Sequence, residues 1–209
     1  MKQVLRSLVV LAFVSLCTHV VFADNLVVNG NFSNGLPSGS FTTVFAGDST
    51  TIPGWTVTSG SVDFIGTYWQ APPLGGGSID MDGNSPGAIS QTLTTTAGQL
   101  YDVSFYLSGN PDGFPQTKTL DVIIGGSPTL FTYTLTGNKS NMDYVLESFA
   151  FTGTGGPTTL EFESLDVNSP YGPVIGDVSV SPVPEPTSLF LLGTGLATLA
   201  GFVRRKLAA

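Results

Sequence analysis

Six side chains stand where they could hold a sugar: Tyr68, Trp69, Asp63, Asp80, Asp112 and Tyr171. Tyr68 and Trp69 end a strand-like run and enter the Pro- and Gly-rich loop from Gln70 to Gly77. An aromatic face there can stack on the C–H face of a sugar, while carboxylates and amides take its hydroxyls. The competing reading of Trp69 is a plug at one end of the core. Asp63, Asp80 and Asp82 lie on neighbouring motifs. Asp63 and Asp80 alternate with apolar residues, which equally describes a solvated sheet face. Asp112 sits in the turn Asn110-Pro111-Asp112-Gly113, where it is expected to cap its own backbone unless it meets a ligand. Phe114 and Tyr171 stand beside prolines in loops and extend the same aromatic possibility.

Other chemistry is closed off by what is missing. Cys17 and His19 are the only cysteine and histidine, and both fall in the first 23 residues. The remainder can form no disulfide, no Ser-His-Asp or Cys-His relay, and no His- or Cys-ligated metal site. A glycoside hydrolase would need two carboxylates about 5–5.5 Å apart, or roughly 6.5–9.5 Å for inversion. The acids show no pattern that sets such a pair apart.

The elements that must position these groups read as β throughout. Short runs rich in Val, Ile, Thr, Phe and Tyr alternate with Gly, Pro, Asn and Ser clusters, and no segment carries a helical period with caps. From Leu100 to Leu107, Tyr101, Val103, Phe105 and Leu107 share one face, and Asp102, Ser104 and Tyr106 the other. A period of two buries one face and wets the other. Phe149 and Phe151 pair in the same way, as do Leu160 and Phe162. Trp55 follows a Pro-Gly turn and is expected in the core. Trp55 to Thr58 and Ser61 to Phe64 read as a hairpin around Ser59-Gly60. About a dozen such strands predict an all-β fold, a two-sheet antiparallel jelly-roll sandwich.

Both ends carry address labels. Lys2 and Arg6 precede an apolar core from Leu8 to Leu16, and Val21-Phe22-Ala23 offers a cleavage site, so residues 1–23 read as a signal peptide with a signal helix. At the other end, Val183-Pro184-Glu185-Pro186 is stiff, an apolar run follows from Leu189 to Val203, and Arg204-Arg205-Lys206 closes it. About fifteen residues rise roughly 22 Å as a helix, short of the roughly 30 Å hydrocarbon core. This short hydrophobic helix suits transient anchoring in the inner membrane, with the basic cluster left cytoplasmic. An ordinary membrane anchor is the alternative. Between the labels, 24–182 forms one domain, and 183–209 the sorting tail. Only Lys118 and Lys139 face fourteen carboxylates in that domain, leaving it near −12. Such a surface repels nucleic acid and anionic lipid.

Two resemblances rest on these residues. Pro184-Glu185-Pro186, the apolar run and the terminal Arg204, Arg205 and Lys206 resemble the PEP-CTERM sorting signal, which implies processing by an exosortase-type enzyme and delivery to the outer envelope or extracellular matrix. Asn25 to Phe32, Ile52-Pro53-Gly54-Trp55, Val62 to Gln70, Ser78 to Gly83, Gly87 to Thr92 and Asp177-Val178-Ser179-Val180 resemble the choice-of-anchor C family, the bacterial relative of plant cell-wall domains. That resemblance implies a galactose-binding-like jelly roll associated with extracellular polysaccharide. Such folds often hold a structural calcium, here expected at Asn31 and Asp177. Asn31 replaces an acid and Ser33 a glutamate, and calcium wants about six to eight oxygens. No other cofactor is implied.

The expected function is therefore an exported, non-catalytic, polysaccharide-associated surface or matrix protein. The rivals are a structural envelope protein without a small ligand and a carboxylate-based glycoside hydrolase.

Overall fold

The computed structural model describes residues 24–184 except Asn168. The expected signal helix, the hydrophobic tail helix, and Glu185, Pro186, Arg204, Arg205 and Lys206 lie outside the described residues. Among the described residues no helix is long and apolar enough to cross a membrane. Asp24–Val183 forms a compact unit whose core is built from its own residues.

The unit is two antiparallel sheets. The six-stranded sheet contains β1 (Phe41–Phe45), β3 (Ser61–Ile65), β4 (Ser78–Asp80), β11 (Pro173–Pro182), β6 (Leu100–Gly109) and β9 (Val145–Thr152), in that spatial order. The five-stranded sheet runs β2 (Thr56–Ser59), β5 (Ala88–Thr95), β10 (Gly156–Ser164), β7 (Thr117–Ile124) and β8 (Ser127–Thr134). Strands β4 to β11 have the jelly-roll order by themselves. The first, eighth, third and sixth of them lie side by side in one sheet, and the second, seventh, fourth and fifth in the other. Strands β1 to β3 add one further edge to each sheet.

The alternation seen in the sequence explains the core. Phe64, Ile79, Phe105 and Ile175 from one sheet meet Ile89, Leu120, Val122 and Phe162 from the other. The Phe105 and Phe162 rings cross edge to face at 5.2 Å. Burying each such side chain contributes about 1.5–3 kcal/mol. Trp55 is buried as expected, and its indole N–H donates to the Asn29 carbonyl at 3.3 Å.

One sequence expectation fails here. β2 and β3 do not form a hairpin, because β2 pairs with β5 and β3 with β1 and β4, in opposite sheets. Gly60 makes the crossing at φ 52, with its Cα so close to the Pro86 carbonyl that a Cβ would sit 1.9 Å from that oxygen. A crossover and a tight turn demand the same residue type, so the local sequence did not separate them.

The run Leu26 to Val28 is held without becoming a ladder strand. The Leu26 N–H donates to the Val180 carbonyl at 2.8 Å. The buried Gln91 amide then stands in for a neighbouring strand. Its oxygen accepts from the Val28 N–H at 2.7 Å, and its nitrogen donates to the carbonyls of Val28 and Gly54 at 2.9 and 2.7 Å.

Candidate functional site

Facing residues on adjacent antiparallel strands point to the same side of a sheet. Thr43, Asp63, Asp80, Val174 and Ser108 form one row across β1, β3, β4, β11 and β6. Phe41, Ile65 and Ser78 form the next row. Since Phe64, Ile79 and Ile175 face the core, both rows lie on the outer face of the six-stranded sheet. Loops rise around them: residues 66–77 after β3, 81–87 after β4, 110–116 after β6, and 169–172 before β11.

These elements enclose a surface pocket of about 260 Å³. Its walls include Asp63, Tyr68, Trp69, Asp80, Asp112 and Tyr171, so all six residues picked out from the sequence meet at one place. Phe41, Thr43, Asn84 and Asn110 complete the polar and aromatic lining.

The six do not stand equal. Trp69 is 7 % exposed, and its indole N–H donates to the Ser78 hydroxyl at 2.9 Å. It packs with Ile65, Met142 and Val174 in a second small apolar cluster on the outer face of the sheet. It is therefore neither an open stacking platform nor a plug at the sandwich end. The loop after β8 carries Met142 over it, a contact set by tertiary closure.

Tyr68 is half-buried. Its ring meets Phe41 edge to face at 5.2 Å, and its hydroxyl donates to Asp112 Oδ2 at 2.8 Å. Lys139 ion-pairs with the same carboxylate at 2.9 Å and lies 4.0 Å from the centre of the Tyr68 ring. The hydrogen bond to Tyr68 and the Asp112 carboxylate raise the Lys139 pKa. Asp112 thus does not cap its own backbone. The Asn110 oxygen does so, accepting from the Asp112 N–H at 2.9 Å.

Asp80 is wholly buried and belongs to no solvated face. One oxygen accepts from the N–H groups of Asp82 and Gly172 at 3.1 and 3.0 Å. The other accepts from the Asn110 amide at 2.6 Å. It ties three loops together at the pocket floor. Burial holds its pKa well above the usual carboxylate range, against the pull of those donors. Asp63 is half-buried: one oxygen accepts from the Thr43 hydroxyl at 2.6 Å, and burial raises its pKa too. Both corrections have one cause. The alternation identified the outward face, and the loops then covered it.

Lys118 and Asp82 carry weight that sequence reasoning missed. Lys118 has 0 % exposure, in phase with Leu120, Val122 and Ile124, and its ammonium donates to the carbonyls of Gly113 and Tyr171. It braces from within two loops that frame the pocket. Burial lowers its pKa, opposed by Asp166, Asp80 and Asp82. Asp82 is also fully buried, and neither of its oxygens has a hydrogen-bond partner. Burial pushes its carboxyl up to about 7, with the nearby Ser164 hydroxyl and Lys118 opposing and Asp166 reinforcing. The available signal was the in-phase placement of a lysine among core residues.

The expected calcium ligands sit elsewhere. The Asn31 side-chain oxygen accepts from the Ser33 N–H at 3.3 Å, and Asp177 Oδ2 accepts from the Leu74 N–H at 2.8 Å. Asp177 Oδ1 is the one buried, unpartnered side-chain oxygen of that pair. Among the described residues no group of three acids is placed to hold a metal. Asp177 also pins the loop Pro72–Gly77 to β11.

Fold, pocket and tail together define a class: a jelly-roll module with an acid- and aromatic-lined surface pocket, followed by a sorting segment. The chain belongs to the family described as a protein of unknown function, DUF642, whose model matches residues 25–181. A PEP-CTERM protein-sorting motif matches residues 182–206 and marks an exported, surface-sorted protein. Halomucin of Haloquadratum walsbyi is 33 % identical over 190 residues, covering 85 % of this chain and 2 % of halomucin. The Arabidopsis thaliana DUF642 protein named for L-galactono-1,4-lactone responsiveness is 25 % identical over 166 residues. That match covers 74 % of this chain and 45 % of the plant protein, so the chain spans less than half the length of either relative. Among solved structures, a family 35 carbohydrate-binding module from Paenibacillus barcinonensis is 20 % identical with a TM-score of 0.43, covering 67 % of this chain and 98 % of that module. A likeness of that degree adds nothing to the fold read from the sheet order.

Proposed function

We propose that the domain is a non-catalytic, polysaccharide-associated module of the cell surface or extracellular matrix, delivered there by exosortase-type processing after transient anchoring in the inner membrane. The pocket carries the reading. It brings the rings of Phe41, Tyr68 and Tyr171 together with the carboxylates of Asp63 and Asp112, in a volume fit for a sugar unit. The sorting motif supports the destination, and the choice-of-anchor C resemblance is its finer family counterpart. Asp80 argues against a hydrolase, because both of its oxygens are committed to structural donors.

The test is retention of the Asp24–Val183 unit on immobilised exopolysaccharides and plant polymers, with Tyr171→Ala as the comparison. Retention that weakens in the variant is expected; no retention on any polymer overturns the binding half. The burial of Trp69 favours a second reading, a structural matrix protein without a small ligand. That reading gains if the pocket variant leaves assembly into the matrix unchanged.

A further inference from the structure

The charged side chains lining the pocket are Asp63, Asp80 and Asp112, with no lysine, arginine or histidine among the lining residues. Among these charged groups, hydrogen-bond supply runs one way. An ionised carboxylate only accepts. Asp63 has one oxygen engaged by Thr43, and Asp112 has Oδ2 engaged by Tyr68 and Lys139, so each keeps one oxygen outside the hydrogen bonds described. The Asn110 amide donates from its nitrogen to Asp80 and accepts at its oxygen from the Asp112 N–H. The Asn84 amide and the Tyr171 hydroxyl remain as donors in the lining, but the free oxygens of Asp63 and Asp112 take donors that a ligand must bring. A uronate or sulfated sugar would bring more acceptors and more negative charge.

The rim already shows which group satisfies such walls. The Lys139 ammonium sits against the Tyr68 ring and the Asp112 carboxylate, an aromatic face plus an anion. Aromatic rings and carboxylates together recognise ammonium groups through the ring quadrupole and direct charge pairing. Phe41 and Asp63, on the neighbouring strands β1 and β3, bring a second ring and a second carboxylate to the same pocket, without a lysine among the lining residues.

Resting on the polysaccharide reading above, we infer that the pocket takes an amino sugar with a free ammonium, placed against Asp63, and rejects acidic sugars. The ligand class is a de-N-acetylated glucosamine-type polymer, cationic where this domain is strongly anionic. Burial of Asp63, which disfavours its charge while the pocket is empty of a cation, is relieved by such a partner.

The experiment compares the Asp24–Val183 unit on immobilised polyglucosamine, its N-acetylated form and polygalacturonate, with free glucosamine and N-acetylglucosamine as competitors. General attraction between a polycation and an acidic protein is the confounder. Asp63→Asn is therefore set beside Asp102→Asn, which removes an equal charge at an exposed position on β6. The inference expects at least about tenfold tighter binding to polyglucosamine than to the N-acetylated polymer, lost in Asp63→Asn and kept in Asp102→Asn. Equal loss in both variants overturns it, because charge alone then explains retention. Preference for the acetylated polymer or polygalacturonate overturns it too while leaving the polysaccharide reading intact. Retention on no polymer removes both.

Discussion

Asp80 and Asn110 meet at 2.6 Å, thirty residues apart in sequence and both buried. The amide holds the turn after β6 twice, once through the Asp80 carboxylate and once through the Asp112 N–H. Removing it leaves a buried carboxylate oxygen without its donor. Asn110→Ala should lower unfolding stability by about 2–3 kcal/mol, the range for a hydrogen bond to a charged group plus desolvation. Asn110→Asp should cost more, since two carboxylates would face each other. Urea unfolding of the three proteins measures both effects. Equal midpoints for wild type and Asn110→Ala would show that the contact contributes nothing.

The Gln91 amide holds the segment Leu26 to Val28 by three hydrogen bonds. Gln91→Glu keeps the acceptor and replaces the donors by an anion facing two carbonyls. It should destabilise the unit more than Gln91→Met, which fills the same space without charge. Amide exchange at Val28 should accelerate in both variants while exchange at Phe105 on β6 stays slow. Unchanged protection at Val28 would contradict the lock.

Stability should depend on pH through Asp82. Its folded carboxyl titrates at about 7, above the unfolded value near 4, so the folded state holds a proton that the unfolded chain has released. Its contribution is full below about pH 4 and is lost as pH rises through about 7. Asp63, Asp80, Asp166 and Asp177 are raised by burial and act in the same sense. Wild type should lose stability from pH 4 to 8, and Asp82→Asn should lose less of it. Parallel profiles for the two proteins would refute the assignment.

Trp55 and Trp69 are the only tryptophans, and both are buried. Native fluorescence should be weakly quenched by iodide, and each single Trp→Phe variant should behave alike. Trp69→Ala should cost about 3–5 kcal/mol, as for other buried aromatics cut to alanine. Strong quenching of the Trp69 signal would return that ring to the surface.

Much of the fold was legible because strand faces repeat every two residues. Tyr101, Val103, Phe105 and Leu107 announced a buried face, and the structure places them there. The six pocket residues were named from type and neighbourhood. Their roles were less legible, since the sequence marks a side chain as facing outward but not what later covers it. Asp80 and Trp69 face away from the main core, yet loops from distant parts of the chain enclose both.

From its residue order alone, then, this protein had its class decided: all-β, free of thiol and imidazole chemistry in the domain, strongly acidic and followed by a sorting motif. Those properties are local or additive, so a linear reading captures them. Which acids became floor, wall or rim was decided only when β3, β4, β6 and β11 came into register and their loops closed above them. Burial and hydrogen-bond supply depend on contacts many residues apart, such as Asp80 with Gly172 and Asp112 with Tyr68.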